Sequence, residues 1–303
     1  MSSTWIRTAA LAVLAALLLC GAALGQTGEW NPVSTGPFNA WPAPLCAKGT
    51  LVVQPFLYFH TVQGIFDSDG QFLDLPEGGS KQLSIQQLFL QYGLTDRDEL
   101  AALINYQQSC RSIEGGGSAS SSGLADTALV YRRHFLREGR FLPEGSLFFQ
   151  LKLPTGKYEG LNPGALGTDY MGTGSFDPSI GLNLTKKAKP FLLHADVIAN
   201  FPLPCRIDGF ETRYAPSLNY DFAAECFITE HSSILLELNG FTQGDMTVNG
   251  HALPWTGSQS LNLVAGVGAA GESIAVFIGR QRTLSGRNTD AVESWLCSFM
   301  LHF

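Results

Sequence analysis

Apolar and polar side chains alternate along much of this chain. Phe176, Pro178, Ile180, Leu182 and Leu184 are apolar, while Asp177, Ser179, Gly181, Asn183 and Thr185 between them are small or polar. Phe191, Leu193, Ala195, Val197 and Ala199 interleave with Leu192, His194, Asp196 and Ile198; Ile234, Leu236 and Leu238 interleave with Leu235, Glu237 and Asn239. From Trp295 every second residue is apolar, through Cys297, Phe299 and Leu301 to Phe303. A period of two belongs to strands with one greasy face, because successive side chains point to opposite sides.

Such segments recur at about 50–60, 81–93, 98–107, 124–136, 145–153, 175–187, 190–200, 209–222, 231–242, 258–269, 272–281 and 290–303. Each has about the length that a tilted strand needs to cross a bilayer, roughly 9 to 11 residues. Leu83 to Tyr92 changes phase midway, which predicts a bulge or a shifted strand. The links alternate as well. Those at 61–80, 108–123, 154–174, 201–208, 243–257 and 282–289 are long; most of the others, such as Leu94 to Arg97 and Ala270-Gly271, are short. Long loops on one rim and short turns on the other predict an all-β, antiparallel, up-and-down transmembrane β-barrel of about 12 strands rather than a soluble sandwich. An even strand count puts both termini on the periplasmic side. A charge facing acyl chains is costly, so the polar sets must face the lumen.

Composition narrows the function. With 33 glycines and 15% charged residues the chain suits many strands joined by turns. A net charge of −7 argues against nucleic acid as a partner, since phosphate binding needs clustered Lys and Arg. Arg7, the apolar run Ala9 to Leu19 and the small residues before Gln26 have the layout of a secretory signal peptide, assigned to residues 1–25. Leu19 stands where a lipoprotein signal at Cys20 would need a small residue. Residues 26–48, rich in Pro, Trp and Gly, are either a disordered leader or an extended segment lying in the barrel mouth as a plug; residues 49–303 form the barrel.

Beyond the leader stand Cys46, Cys110, Cys205, Cys226 and Cys297. In an oxidising compartment the topology allows Cys110 with Cys205 at the loop rim and Cys46 with Cys226 at the other, leaving Cys297 facing lipid. No spacing suggests a metal site or a cofactor. An enzyme is not expected: there is no Gly-x-Ser-x-Gly, and His60, His134, His194, His231, His251 and His302 are scattered. The Gly/Ser run Glu114 to Gly123 reads as mobile. The lumen candidates are Asp126, Arg132, Gln150, Lys152, Asp177, Asn183, His194, Asp196, Glu237 and Asn239. They either pair with one another and stiffen the interior, or line a solute path.

The alternating strand that ends on Phe303 resembles the closing strand of bacterial outer-membrane barrels, whose final aromatic residue forms the signal read by the outer-membrane barrel assembly machinery. Several interior stretches resemble a narrower group. Gly123-Leu124-Ala125-Asp126-Thr127, Leu151-Lys152-Leu153-Pro154-Thr155-Gly156, Gly172-Thr173-Gly174-Ser175-Phe176-Asp177, Leu236-Glu237-Leu238-Asn239-Gly240 and Gly257-Ser258 look like the meta-pathway of phenol degradation family of outer-membrane transporters. That resemblance implies passive passage of small, hydrophobic or aromatic molecules across the outer membrane, with lipid and solute as partners. Read from the residues alone, Pro154 stops a strand and the glycines free the loop base to bend. A closed, side-chain-filled barrel with a structural or surface-binding role is the alternative.

Overall fold

The structure, a computed structural model, describes Trp30 and residues 32–303. The expected signal peptide, residues 1–25, lies outside the described residues. Twelve strands form one closed antiparallel barrel. They are β1 (Leu51–Phe66), β2 (Ser80–Gly93), β3 (Asp98–Ile113), β4 (Gly117–Leu124 continued by Thr127–Leu136), β5 (Glu144–Leu153), β6 (Asp177–Ala188), β7 (Phe191–Asn200), β8 (Ser217–Phe227), β9 (Ser232–Gln243), β10 (Ser258–Ala270), β11 (Ile274–Arg287) and β12 (Thr289–His302). Each pairs with its neighbour in sequence, and β12 returns to pair with β1 from Val52 opposite His302 to Phe66 opposite Thr289. Leu51 and Phe303 exchange backbone hydrogen bonds of 3.1 and 2.9 Å at the end of that seam. Closure leaves no open edge among the twelve.

The alternation read from sequence sets the two faces. Leu236 and Val267 are 53% and 58% exposed on the outer wall, whereas Leu235 and Val264, one face over, are 0% exposed. Cys297 points outward between the buried Leu296 and Ser298. On the outer wall the apolar band ends in polar groups at both levels. Arg280 reaches Glu293 at 3.0 Å and lies over the Trp295 ring, 5.0 Å from its centroid. At the other level Asp98 accepts from Tyr131 at 2.6 Å and from Arg133 at 3.0 Å. Aromatic side chains at the edges of an apolar belt are typical of strands in a bilayer.

The rims differ as expected. Connections 94–97, 137–143, 189–190, 228–231 and 271–273 lie on the rim that holds Leu51 and Phe303, here the terminal rim; 67–79, 154–176, 201–216 and 244–257 lie on the opposite, loop rim. Short strands Cys205–Ile207, Phe210–Arg213, Thr247–Val248 and His251–Ala252 form a separate four-stranded sheet within those loops.

Four expectations need correction. The Gly/Ser run is not a free loop: Gly117–Leu124 pairs with β3 from Ile113 opposite Gly117 to Tyr106 opposite Leu124, turning at 114–116. Small side chains sit easily on a strand whose outward positions stand above the apolar band. The link at 282–289 is strand up to Arg287, turning through Asn288 at φ 47°. The eighth strand begins at Ser217 and ends at Phe227, since 201–216 is needed to carry the small sheet. The phase change in β2 is no bulge, because its pairing with β3 runs without a shift. Leu83 and Ile85 face inward where Gln82, Ser84 and Gln86 face outward, so the outward set turns polar toward the loop rim while the register holds.

The apolar band makes a quantitative statement. Leu236→Arg, on the outer wall midway along β9, is expected to lower folding stability in vesicles by about 2–4 kcal/mol, and Gln82→Arg, at the loop-rim end of β2, by no more than about 1 kcal/mol. Urea titration of vesicle-folded protein measures both.

Candidate functional site: a segment folded into the lumen

The chain before β1 arches through the barrel interior from the terminal rim. A backbone inside the lumen has no neighbouring strand, so each buried N–H must find a side-chain acceptor. Prolines 32, 37, 42 and 44 remove four of those donors outright. The wall supplies acceptors for the rest of the arch.

On the ascending limb, Trp30 packs edge-on against Phe227 at 5.5 Å, and Glu225 of β8 accepts from the Ser34 hydroxyl and from Thr35 N and Oγ1 at 3.4 and 3.3 Å. Ser233 holds that carboxylate in place at 2.6 Å. At the apex Glu237 of β9 accepts three backbone N–H groups, Phe38 at 2.9 Å, Asn39 at 2.8 Å and Ala40 at 2.6 Å. Asn39 donates its amide to Asn239 at 2.8 Å, and Trp41 N donates to Asp196 of β7 at 2.6 Å. On the descending limb Ala43 N donates to Thr185 at 2.8 Å and Cys46 N to Glu99 at 2.7 Å. Arg132 donates to the carbonyls of Pro42 and Pro44 and pairs with Glu99 at 3.1 Å, both side chains 1% exposed. The segment leaves beside Gly93, where a Cβ would lie 2.0 Å from the Ala47 carbonyl oxygen.

The opposite wall grips the arch through aromatic rings. Phe38 meets Phe56 and Tyr58 at 5.1 Å and Phe277 at 5.4 Å; Trp41 meets Phe89 at 5.1 Å and Phe148 at 4.8 Å, with the Arg132 guanidinium over its ring. Edge-to-face pairs of this kind each add about 0.5–1.5 kcal/mol beyond area burial. The lumen at this depth is therefore a packed core, drier than the alternation of acids and amides on β6 to β9 leads one to expect.

Two cavities flank the apex. One of about 540 Å³ lies toward the terminal rim against β1 to β3, among Phe56, Tyr58, Gln87, Phe89, Gln91 and Leu103. The other, about 240 Å³, lies toward the loop rim among Asn219, Asp221, Asn239, Phe241 and Asn262. Asn39 and Trp41 line both, so these two residues are the partition between them.

The ten lumen candidates all sit on inward positions but divide into groups. Asp196, Glu237 and Asn239 hold the apex, and Arg132 the descending limb. Asn183 accepts from Ser146 at 3.3 Å, His194 meets Thr185 at 3.0 Å, and Gln150 lies between Val130 and Ser179 on the wall. Asp126, Lys152 and Asp177 stand apart near the loop rim, with Lys152 Nζ 3.3 Å from Asp126 and 2.6 Å from Asp177. Asp126 also accepts from Gly156 N at 3.1 Å and Thr173 N at 3.0 Å, drawing both glycine motifs together at the base of loop 154–176. A Cβ on Gly172 would meet Asp126 Oδ1 at 2.4 Å, and one on Gly156 would meet the Met171 carbonyl oxygen at 2.3 Å. Close approach of two backbones explains these glycines.

Glu99, Thr185, Asp221 and Glu225 were missed from sequence. Glu99 lies at the second position of the strand expected at 98–107, where no alternation is assigned, and Glu225 lies beyond the strand end expected at 222. The cysteines among the described residues are free thiols, and neither Cys110 with Cys205 nor Cys46 with Cys226 is joined. The barrel wall explains the second pair: Cys46 lies within the lumen, while Cys226, next to the inward Glu225, faces out. Cys110 also faces outward, bonded to Ser120 at 3.4 Å, whereas Cys205 lies over Thr173 and Thr212. His60 Nδ1 meets Ser294 at 2.6 Å, a pairing the scattered histidines did not announce; among the described residues no carboxylate bonds that imidazole.

No protein-family model matches the sequence, and no curated protein does. Among solved structures the chain is similar to an outer membrane channel from Pseudomonas putida F1, at 15% identity and a TM-score of 0.71, over 89% of this chain and 100% of that one. It is also matched by the NanC porin (TM-score 0.48, 7% identity, 83% and 98% covered) and by the translocator domain of the autotransporter NalP from Neisseria meningitidis (TM-score 0.47, 10% identity, 85% and 90% covered). The protein is a β-barrel of the outer-membrane fold whose lumen is crossed by its own chain.

Glu237→Ala strands three buried N–H groups at about 1–3 kcal/mol each and is expected to free the apex, while Glu237→Gln keeps an acceptor and has a smaller effect. Limited proteolysis within residues 34–46 of the folded barrel reads the difference. A second prediction concerns the loop. Hydrogen bonds from Lys157 at 2.8 Å and Asn162 N at 2.9 Å hold the Asp169 carboxyl below its ordinary value. Its anchoring is then fully present above the ordinary carboxylate range and is lost as pH falls through the lowered value. Protease nicking of loop 154–176 should rise only on strong acidification, and Asp169→Asn should remove that pH dependence.

Proposed function

We propose that this protein is a passive channel of the bacterial outer membrane for small hydrophobic or aromatic molecules, gated by residues 34–46. The observation that carries the proposal is the partition: two cavities separated by Trp41 and Asn39, the larger walled by Phe38, Phe56, Tyr58 and Phe89. An aromatic-lined space of about 540 Å³ lies within the usual range of small-ligand pockets, and Gln87 and Gln91 offer amides to a single polar substituent. The motifs around Asp126, Gly156 and Gly172, which resemble the meta-pathway of phenol degradation family, and the fold shared with an outer membrane channel agree with this reading. In this reading the terminal rim is periplasmic, loop 154–176 lies outside the cell, lipid meets the exposed apolar wall, and Phe303 presents the closing strand to the barrel assembly machinery. Transport runs down a gradient. The buried Arg132–Glu99 pair and the packed rings favour a second reading, a closed barrel with a structural or surface-binding role.

Liposome swelling with phenol separates the two. Trp41→Ala removes the larger part of the partition and should raise the swelling rate several-fold over the unaltered chain. A barrel filled for structural reasons admits no phenol in either form.

A further inference from the structure

Four acids cluster on the wall beside the arch, and among the described residues the cations whose ion pairs are seen near them are matched by other acids. Asp196, Asp221, Glu225 and Glu237 stand on three adjacent strands, with Asp196 directly across from Asp221 in the ladder. Asp196, Glu225 and Glu237 are 3%, 0% and 1% exposed. From residue 30 to 47 the chain contains no Lys, Arg, Asp or Glu, so the arch meets these carboxylates with neutral N–H and hydroxyl groups alone. Arg132, on β4, is matched by Glu99 directly beside it on β3. His194 on the same wall is occupied with Thr185, and Lys152 near the loop rim stands between two acids. One oxygen of Asp196, Oδ1, is buried with no N–H or hydroxyl donor among the described residues and has the Asp221 carboxyl as its neighbour across the ladder, while the other oxygen receives Trp41 N.

We propose that the arch occupies a cation site: when residues 34–46 move aside, the wall of Asp196, Asp221, Glu225 and Glu237 binds and selects small monovalent cations, including ammonium ions. The donors aimed at it by the arch, backbone N–H groups 2.6–2.9 Å from Glu237 and Asp196, stand where an ammonium ion would place its own. A single-signed wall of low dielectric concentrates counter-ions, and acidic rings select cations in pores. The inference rests on the reading of residues 34–46 as a gate, and it adds a charge selectivity that passage of neutral aromatic molecules does not require.

The test is the reversal potential in planar bilayers under a KCl gradient, for the full chain and for Trp41→Ala, each first verified as folded by its heat-modifiable mobility. Spontaneous openings of the unaltered chain supply the same reading if the variant does not fold. The expected result is permeability favouring K⁺ over Cl⁻ by about tenfold, the lower end of what a single-signed cleft achieves. Asp221→Asn combined with Glu225→Gln should bring that ratio toward unity. Current without cation preference, or a preference that survives both amides, overturns the cation site and leaves the channel standing; no current from either chain overturns both.

Discussion

The seam between β1 and β12 is the interaction on which the molecule depends. Strands that alternate as these do cannot hide their outer rows of Leu, Ile, Val and Phe in water unless a second layer covers them, and among the described residues no second sheet faces them. Closure resolves this by giving the whole ladder to itself, from Val52–His302 to Phe66–Thr289, and by turning the apolar rows toward lipid. Inside and outside then become distinct environments, and each residue's parity decides which one it meets.

Inside, the constraint reverses. The wall has already used its backbone groups in the ladder, so whatever fills the bore must be satisfied by side chains. The segment before β1 answers in its composition, with prolines where a donor would be stranded and aromatic rings where β1, β2, β5 and β11 present their own. The acids on β7 to β9 answer from the wall. That one carboxylate, Glu237, accepts three consecutive N–H groups fixes the apex more closely than packing alone, since rings slide against one another at small cost whereas hydrogen bonds to a charge do not.

Much of this was legible in the sequence because period-two alternation is a local signal. The outward rows of β6, β7, β9 and β12 could be assigned residue by residue, and so could the inward position of Asp196 and Glu237. What failed was information that depends on level rather than parity. The tall hairpin of β3 and β4 rises above the lipid, where outward serines serve as well as leucines, so Gly117–Leu124 resembles a loop in composition while pairing as strand. β2 changes polarity for the same reason without changing register. The partners of the arch were harder still: Asp196 and Trp41 are distant in sequence, and no pattern within either stretch names the other. Two tryptophans in a proline-rich leader allowed an interior position beside a disordered one; Asp196 and Glu237 were visible as lumen acids, but not as acceptors for that backbone.

If residues 34–46 gate the bore as proposed, the same contacts account for how a segment held by so many groups is also released. Hydrogen bonds to charged acceptors contribute about 1.5–3 kcal/mol each in a folded protein, which would make the arch permanent if they were simply lost on opening. They are not lost without return. Carboxylates buried against neutral donors carry a large desolvation penalty, and water or cations entering the bore relieve it as the N–H groups depart. The unfavourable remainder is the separation of Phe38 and Trp41 from their rings, and an apolar or aromatic solute seated among Phe56, Tyr58 and Phe89 can replace those contacts. In the proposed channel, acids on one side and rings on the other thus divide the work, the first keeping the arch in register and the second making its displacement sensitive to what enters.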